Sequence, residues 1–153
     1  MKTSRQIIFI VLISIVLGAL NNTLNPHKIS LTGKIKNTDS SIDTIPLEKA
    51  YHLFTSEKAK FVDARYNADY MAGHIAGSIS LPNDMFDQYY PKVADVLGLN
   101  DTLIIYCSGP GCHFSSMLAE ILLDLGHTKI LLFEEGFFEW KKAGYPTEIG
   151  DRD

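Results

Sequence analysis

The feature that most restricts the fold is Leu103-Ile104-Ile105-Tyr106, followed at once by Cys107-Ser108-Gly109-Pro110-Gly111-Cys112-His113. Four consecutive apolar residues, three of them β-branched or aromatic, read as a strand buried on both faces, as inside a parallel sheet. Downstream, Phe114, Met117, Leu118, Ile121, Leu122 and Leu125 recur at helical spacing. Ser116, Glu120 and Asp124 form the opposite stripe, and Gly126 stands where the helix would end. A strand thus feeds a glycine-bearing loop, and the loop feeds a helix N-terminus. The first residue of that loop is a cysteine.

This placement has chemical consequences. In open α/β sheets ligands bind outside the carboxyl ends of strands. A helix N-terminus offers unpaired N–H groups and the positive end of its dipole to an anion. Gly109 and Gly111 can adopt φ > 0, which would let N–H groups of the loop turn toward the Cys107 sulfur, with a gap at Pro110. Such surroundings favour a thiolate and would make Cys107 a nucleophile. The competing expectation is an inert buried cysteine, a common fate for free Cys.

The rest of the body alternates in the same way. Pro46 opens a helix whose apolar face is Leu47, Ala50, Tyr51, Leu53 and Phe54. Residues 60–65 form a strand ending in charge, residues 68–71 a short helix stopped by Gly73, and residues 78–82 a brief strand closed by Pro82. Helical spacing from Met85 to Leu97 is interrupted by Pro91. Residues 129–133 make another buried strand, and Phe137, Phe138 and Trp140 are expected to pack into the core from a last helix. Short apolar strands alternating with helices predict an α/β fold, a small and mostly parallel sheet with helices on both faces.

The ends differ from the body. Ile7 to Leu20 is almost wholly apolar and is preceded by Lys2 and Arg5 without an acid. Its fourteen residues would span roughly 21 Å as a helix, short of a ~30 Å hydrocarbon core and suited equally to a signal-peptide core. Leu17-Gly18-Ala19-Leu20 is a poor cleavage site, which favours an N-terminal hydrophobic helix kept as a signal-anchor, with the remainder exported. The alternative is cleavage and a secreted or periplasmic product. The expected organisation is an anchor or signal over 1–24, a polar linker over 25–41, a domain over 42–149 and a tail over 150–153. Residues 39–153 carry nine Lys or Arg against eighteen Asp or Glu. Such an acidic domain argues against nucleic acid as a partner and limits membrane association to the N-terminal segment.

Several spaced blocks together carry a resemblance. They are Phe61-Val62-Asp63-Ala64-Arg65, Tyr70-Met71-Ala72-Gly73-His74-Ile75-Ala76-Gly77-Ser78-Ile79-Ser80-Leu81-Pro82, Ile105-Tyr106-Cys107, and Glu135-Gly136-Phe137-Phe138-Glu139-Trp140 through Pro146. In this order they resemble a single-domain rhodanese-like sulfurtransferase. The resemblance implies that Cys107 takes sulfane sulfur from a donor such as thiosulfate or a persulfide, holds it as a cysteine persulfide, and passes it to a thiol acceptor. No cofactor is expected, and no metal either, since no further Cys-x-x-Cys or spaced His pair completes a ligand set with Cys107, Cys112 and His113. Ser108, Gly109, Gly111, Cys112 and His113 map onto the loop that would hold the anion or persulfide. Asp63 and Arg65 map onto a supporting pair, where Arg65 either adds positive potential near the loop or is a structural partner of Asp63.

Two departures from the family pattern stand in the loop. Family loops often carry a basic residue before the helix, whereas here only His113 is available, and a mostly neutral imidazole is a weaker anion ligand. The position six residues after Cys107, which is arginine in related cysteine phosphatases, is also His113, so the bidentate clamp on a phosphoryl group is missing. The second departure is Cys112. With Cys107 it suggests an exported thiol–disulfide redox or sensing module as a different function, and a non-catalytic binding domain is a third. A buried strand-to-helix turn argues against haem attachment through Cys107, Cys112 and His113. His27, His52 and His127 have no companions that would complete a metal site, and His74, inside a block of the resemblance that shapes the fold, is expected to be structural.

Overall fold

The computed structural model of the protein describes residues 42–150 together with Gln6, Ile13 and Ser14. The chain divides into two units, Met1–Ser40 and Ser41–Asp153. In the first, Gln6, Ile13 and Ser14 are helical and exposed. The remainder of the expected anchor and the 25–41 linker lie outside the described residues, as does the tail from residue 151. Among the described residues, no helix is long and apolar enough to cross a membrane.

The second unit runs β1 (Asp43–Thr44), α1 (Leu47–Thr55), β2 (Lys60–Asp63), α2 (Asn67–Ala72), β3 (His74–Ile75) and β4 (Ile79–Ser80). A 3-10 turn at Asn83–Met85 then leads into α3 (Phe86–Val93), β5 (Thr102–Tyr106), α4 (Phe114–Asp124), β6 (Lys129–Phe133), α5 (Gly136–Lys142) and β7 (Thr147–Glu148). Five strands form one sheet in the order β1-β6-β5-β2-β4, every neighbouring pair parallel. β3 and β7 make a separate antiparallel pair. β5 is the middle strand, and Leu103 to Tyr106 are fully shielded from solvent, as the apolar run predicts.

Side chains alternate across this sheet. Val62, Leu103, Ile105 and Leu132 pack with Leu118, Ala119 and Leu122 of α4 on one face. Phe61, Ile104, Tyr106 and Phe133 pack with Ala50 of α1 and with Phe137 and Trp140 of α5 on the other. Helices therefore cover both faces, as expected. Trp140 is a core residue whose indole N–H donates to the Pro146 carbonyl at 2.9 Å.

Four expectations need correction. The buried stripe of α4 is Ser115, Leu118, Ala119 and Leu122, while Met117 and Leu125 are 48% and 46% exposed. The small side chains of Ser115 and Ala119 turn toward the sheet, which rotates the contact face away from Met117. Phe138 is 63% exposed and is not a core residue. Pro91 lies inside α3 without interrupting it, because the helix ends two residues later and the Ala94 N–H still reaches the Tyr90 carbonyl at 2.9 Å. Pro46 occupies the N-cap of α1, one residue before the first turn.

Candidate functional site

β2, β5 and β6 are in register, with Asp63, Tyr106 and Phe133 side by side at their carboxyl ends. Three segments therefore emerge together at one edge of the sheet: Ala64-Arg65, Cys107–His113 and Glu134–Gly136. This is where an open parallel sheet places a site.

The first half of the loop is held from the α5 side. The Phe137 N–H donates to the Cys107 carbonyl at 2.9 Å, and the Phe138 N–H donates to the Ser108 carbonyl at 3.0 Å. So close an approach requires glycine at 136. Gly136 has φ +66°, and a Cβ there would lie 2.5 Å from the Cys107 carbonyl oxygen and 2.8 Å from the Gly109 nitrogen. Gly109 is buried against Glu135, and Cys107 itself is only 3% exposed.

The second half is a turn. The Cys112 N–H donates to the Gly109 carbonyl at 3.1 Å, with Pro110 at the second position and Gly111 at the third with φ +84°. Proline followed by a positive-φ glycine is the type II arrangement. Of the two loop glycines only Gly111 takes positive φ, and the Cys112 N–H is engaged in the turn, so these groups do not form the expected ring of donors around the sulfur. The turn brings Cys112 back to Cys107, and the two form a disulfide across a Cα–Cα distance of 6.2 Å. A cleft of about 190 Å³ lies over this half, lined by Gly111, Cys112, His113, Ser115 and Glu134 among others. His113 is exposed at the N-cap of α4, where its carbonyl accepts the Met117 N–H at 3.0 Å and the Ser116 hydroxyl at 2.9 Å.

Asp63 and Arg65 are both buried and answer the question left open by the sequence. The Arg65 Nε donates to Asp63 Oδ1 at 3.0 Å, and Nη2 donates to Asp63 Oδ2 at 2.6 Å and to the Gly73 carbonyl at 2.8 Å. Burial alone would weaken the Arg65 charge, but the hydrogen bonds and charge of Asp63 outweigh it and raise the guanidinium pKa. Arg65 is thus Asp63's partner, with its charge compensated. Its guanidinium carbon also lies 4.2 Å from the centre of the Phe137 ring. Phe137 carries the N–H that holds Cys107, so the pair acts on the loop through packing. Burial, together with the Asp63 charge, pushes the Tyr106 phenol well above its ordinary pKa. The neutral hydroxyl accepts the Ile75 N–H at 3.2 Å and pairs with Ser78 Oγ at 2.9 Å.

The structure therefore brings together Gly111, Cys112 and His113 around one cleft, with Cys107 bonded to Cys112 and Ser108 tied to Phe138. Two contributors escaped the sequence reading. Gly136 fits the loop backbone against α5, and Glu134 is among the residues that line the cleft. Both follow β6, and the parallel pairing of β5 with β6 is the signal that would have pointed to them. His74 is buried and stacked on Tyr70 with ring centres 3.7 Å apart, in keeping with a structural role. Among the described residues, no group of three or more His, Cys, Asp or Glu could hold a metal ion.

Comparison with known proteins gives the same picture. Residues 47–143 match the family model of the rhodanese-like domain. The HTH-type transcriptional regulator Rv0324 of Mycobacterium tuberculosis is 32% identical over 89 residues, which is 58% of this chain and 37% of that protein. A putative thiosulfate sulfurtransferase, mpst-1, of Caenorhabditis elegans is 32% identical over 93 residues, covering 50% of this chain and 28% of that one. The matches thus span about a third of these two relatives. The crystal structure of a thiosulfate sulfurtransferase from Pseudomonas aeruginosa superposes with a TM-score of 0.57 at 24% identity, over 72% of this chain and 21% of that chain, and shows the shared fold. With the family model spanning most of the described domain, this chain belongs to the rhodanese-like domain family.

Proposed function

We propose that the protein is a sulfurtransferase in which the reduced Cys107 thiolate attacks a sulfane-sulfur donor, thiosulfate or a persulfide, and carries the sulfur as a persulfide to a thiol acceptor. The observation that carries this reading is the position of Cys107. It is a nearly buried cysteine at the end of the central parallel strand, its carbonyl fixed by α5 and its loop running into the N-terminus of α4. That helix end supplies fixed dipoles for the anionic donor and the persulfide. Family membership and the similarity to a putative thiosulfate sulfurtransferase support the same chemistry. With His113 in place of arginine and an acidic residue, Glu134, also in its lining, the cleft is a weak attractor of a dianion such as thiosulfate.

The test is intact mass of Cys112→Ser, in which Cys107 is the single cysteine, after removal of reductant and brief exposure to thiosulfate or to a persulfide donor, with peptide mapping and cyanide-dependent release of thiocyanate. One added sulfur on Cys107, absent in Cys107→Ser, is expected. No added sulfur on Cys107 from either class of donor would overturn the reading.

The Cys107–Cys112 disulfide favours a second reading, a thiol–disulfide module, in which a reversible thiol count accompanies no sulfur uptake. For location, the positively flanked apolar run from Ile7 to Leu20 supports an N-terminal anchor with the domain on the extracytoplasmic side.

A further inference from the structure

Resting on the persulfide reading, we propose that Cys112 is the built-in acceptor. Its thiolate attacks the inner sulfur of the Cys107 persulfide and expels the outer sulfur as hydrosulfide. The product is the disulfide seen in the structure, and the activity is sulfide release renewed by a dithiol reductant.

Four observations carry this. The two cysteine sulfurs are bonded, with a Cα–Cα distance of 6.2 Å, so this loop lets Cys112 reach the sulfur that becomes the inner atom of the persulfide. The Gly109–Cys112 turn, shaped by Pro110 and Gly111, holds Cys112 in that position through a local hydrogen bond. Access is unequal: Cys107 is nearly buried, whereas Cys112 is partly exposed and lines the 190 Å³ cleft. The chain has only these two cysteines, so no other thiol of its own competes.

The chemistry balances. A sulfane donor leaves one sulfur on Cys107 and departs, thiosulfate as sulfite. The Cys112 thiol gives up its proton and its sulfur attacks the Cys107 sulfur. The Cys107–sulfane bond breaks, and its electron pair leaves with the outer sulfur, which takes the proton as hydrosulfide. The sulfane sulfur is reduced by two electrons and the two thiols are oxidised to the disulfide. Hydrosulfide is a better leaving group than an alkyl thiolate, which gives the step its direction. A dithiol reductant then attacks the sulfur of the partly exposed Cys112, expels Cys107 as a thiolate, and becomes a disulfide itself.

The experiment is a single turnover of the full chain, reduced and freed of reductant, with no thiol acceptor present. Thiosulfate is the donor in one arm and methanethiosulfonate, whose by-product is a sulfinate and not a thiol, in the other. Sulfite or sulfinate reports the first step and sulfide the second, and intact mass reports the final state. The expected result is a sulfide burst stoichiometric with the first product, leaving protein at the mass of the disulfide form. In Cys112→Ser and in Cys112→Ala the ratio of sulfide to first product should fall roughly ten-fold or more, the two variants guarding against a folding defect in either. If the unmodified protein releases the first product but no sulfide, and retains the extra sulfur on Cys107, the resolving role of Cys112 is overturned while the persulfide reading stands. An extra sulfur mapped to Cys112 also overturns it, because the outer sulfur was then the one attacked. Release of no first product from either donor overturns both.

Discussion

The two halves of the Cys107 loop are built on opposite principles. From Cys107 to Gly109 the chain is buried except at the partly exposed Ser108, and two main-chain hydrogen bonds from α5 fix its carbonyls against a glycine that leaves no room for a side chain. From Pro110 to His113 it is largely exposed, with one turn hydrogen bond and the disulfide as its constraints. One sulfur is held where position matters, and the other where access matters. The first half depends on residues distant in sequence, the second on its own turn chemistry. Substitutions should therefore separate stability and sulfur loading from donor preference.

The largest effect should come from the support beneath the fixed half. Arg65→Ala leaves the fully buried Asp63 carboxylate without its partner and removes the cation packed on Phe137. A loss of about 3–5 kcal/mol of folding stability is expected for breaking a buried pair in this way. Urea unfolding of the reduced protein measures it, and a loss below about 1 kcal/mol would mean that the pair is not what supports the loop.

A matched pair of glycine substitutions sharpens the contrast. Gly136→Ala combines a positive φ with a Cβ driven into the Cys107 and Gly109 backbone, whereas a Cβ at Gly111 meets nothing within 4 Å. Gly136→Ala should cost about 2–4 kcal/mol and slow sulfur loading, and Gly111→Ala about 1–2 kcal/mol from backbone strain alone. Equal losses of stability in the two would show that the close approach of α5 contributes nothing.

The smallest effect belongs to the open half. His113→Arg adds a permanent positive charge to a cleft whose lining includes Glu134. It should improve kcat/KM for thiosulfate several-fold, mainly through KM and on the order of 1 kcal/mol, with stability changed by less than about 0.5 kcal/mol. An uncharged persulfide donor should gain little. Steady-state kinetics with both donors at low salt is the measurement, and an unchanged KM would remove residue 113 from the donor's path.

What could be read from the sequence follows the same division. The central strand, β6 and the helix after the cysteine were legible because a strand buried on both faces is a run of apolar residues, and a helix repeats its apolar side chains. Periodicity counts apolar residues without saying which side meets the sheet, so it places Met117 and Phe138 on the packed face although both are exposed. The close approach of Gly136 to Cys107 joins segments that follow adjacent strands of a parallel sheet, and no local pattern encodes such a contact. For Asp63 and Arg65 the residue types allowed two roles, and burial decided between them. Cys112 lies at a spacing from Cys107 that permits a disulfide, but the turn through Pro110 and Gly111 was needed to bring the two together.

The two strands at the margins of the main sheet, β1 and β4, are only two residues long each. An open edge is a template on which a second chain can add a strand, and a long one invites fibrillar or amorphous self-association. Here Pro46 follows β1 by two residues and Pro82 follows β4 by two, so neither edge can be lengthened by a full complement of backbone donors. Outside the main sheet, β3 and β7 pair with each other. The sheet thus terminates on both sides before it can recruit a neighbour, and copies of this domain crowded together would have little strand surface through which to aggregate.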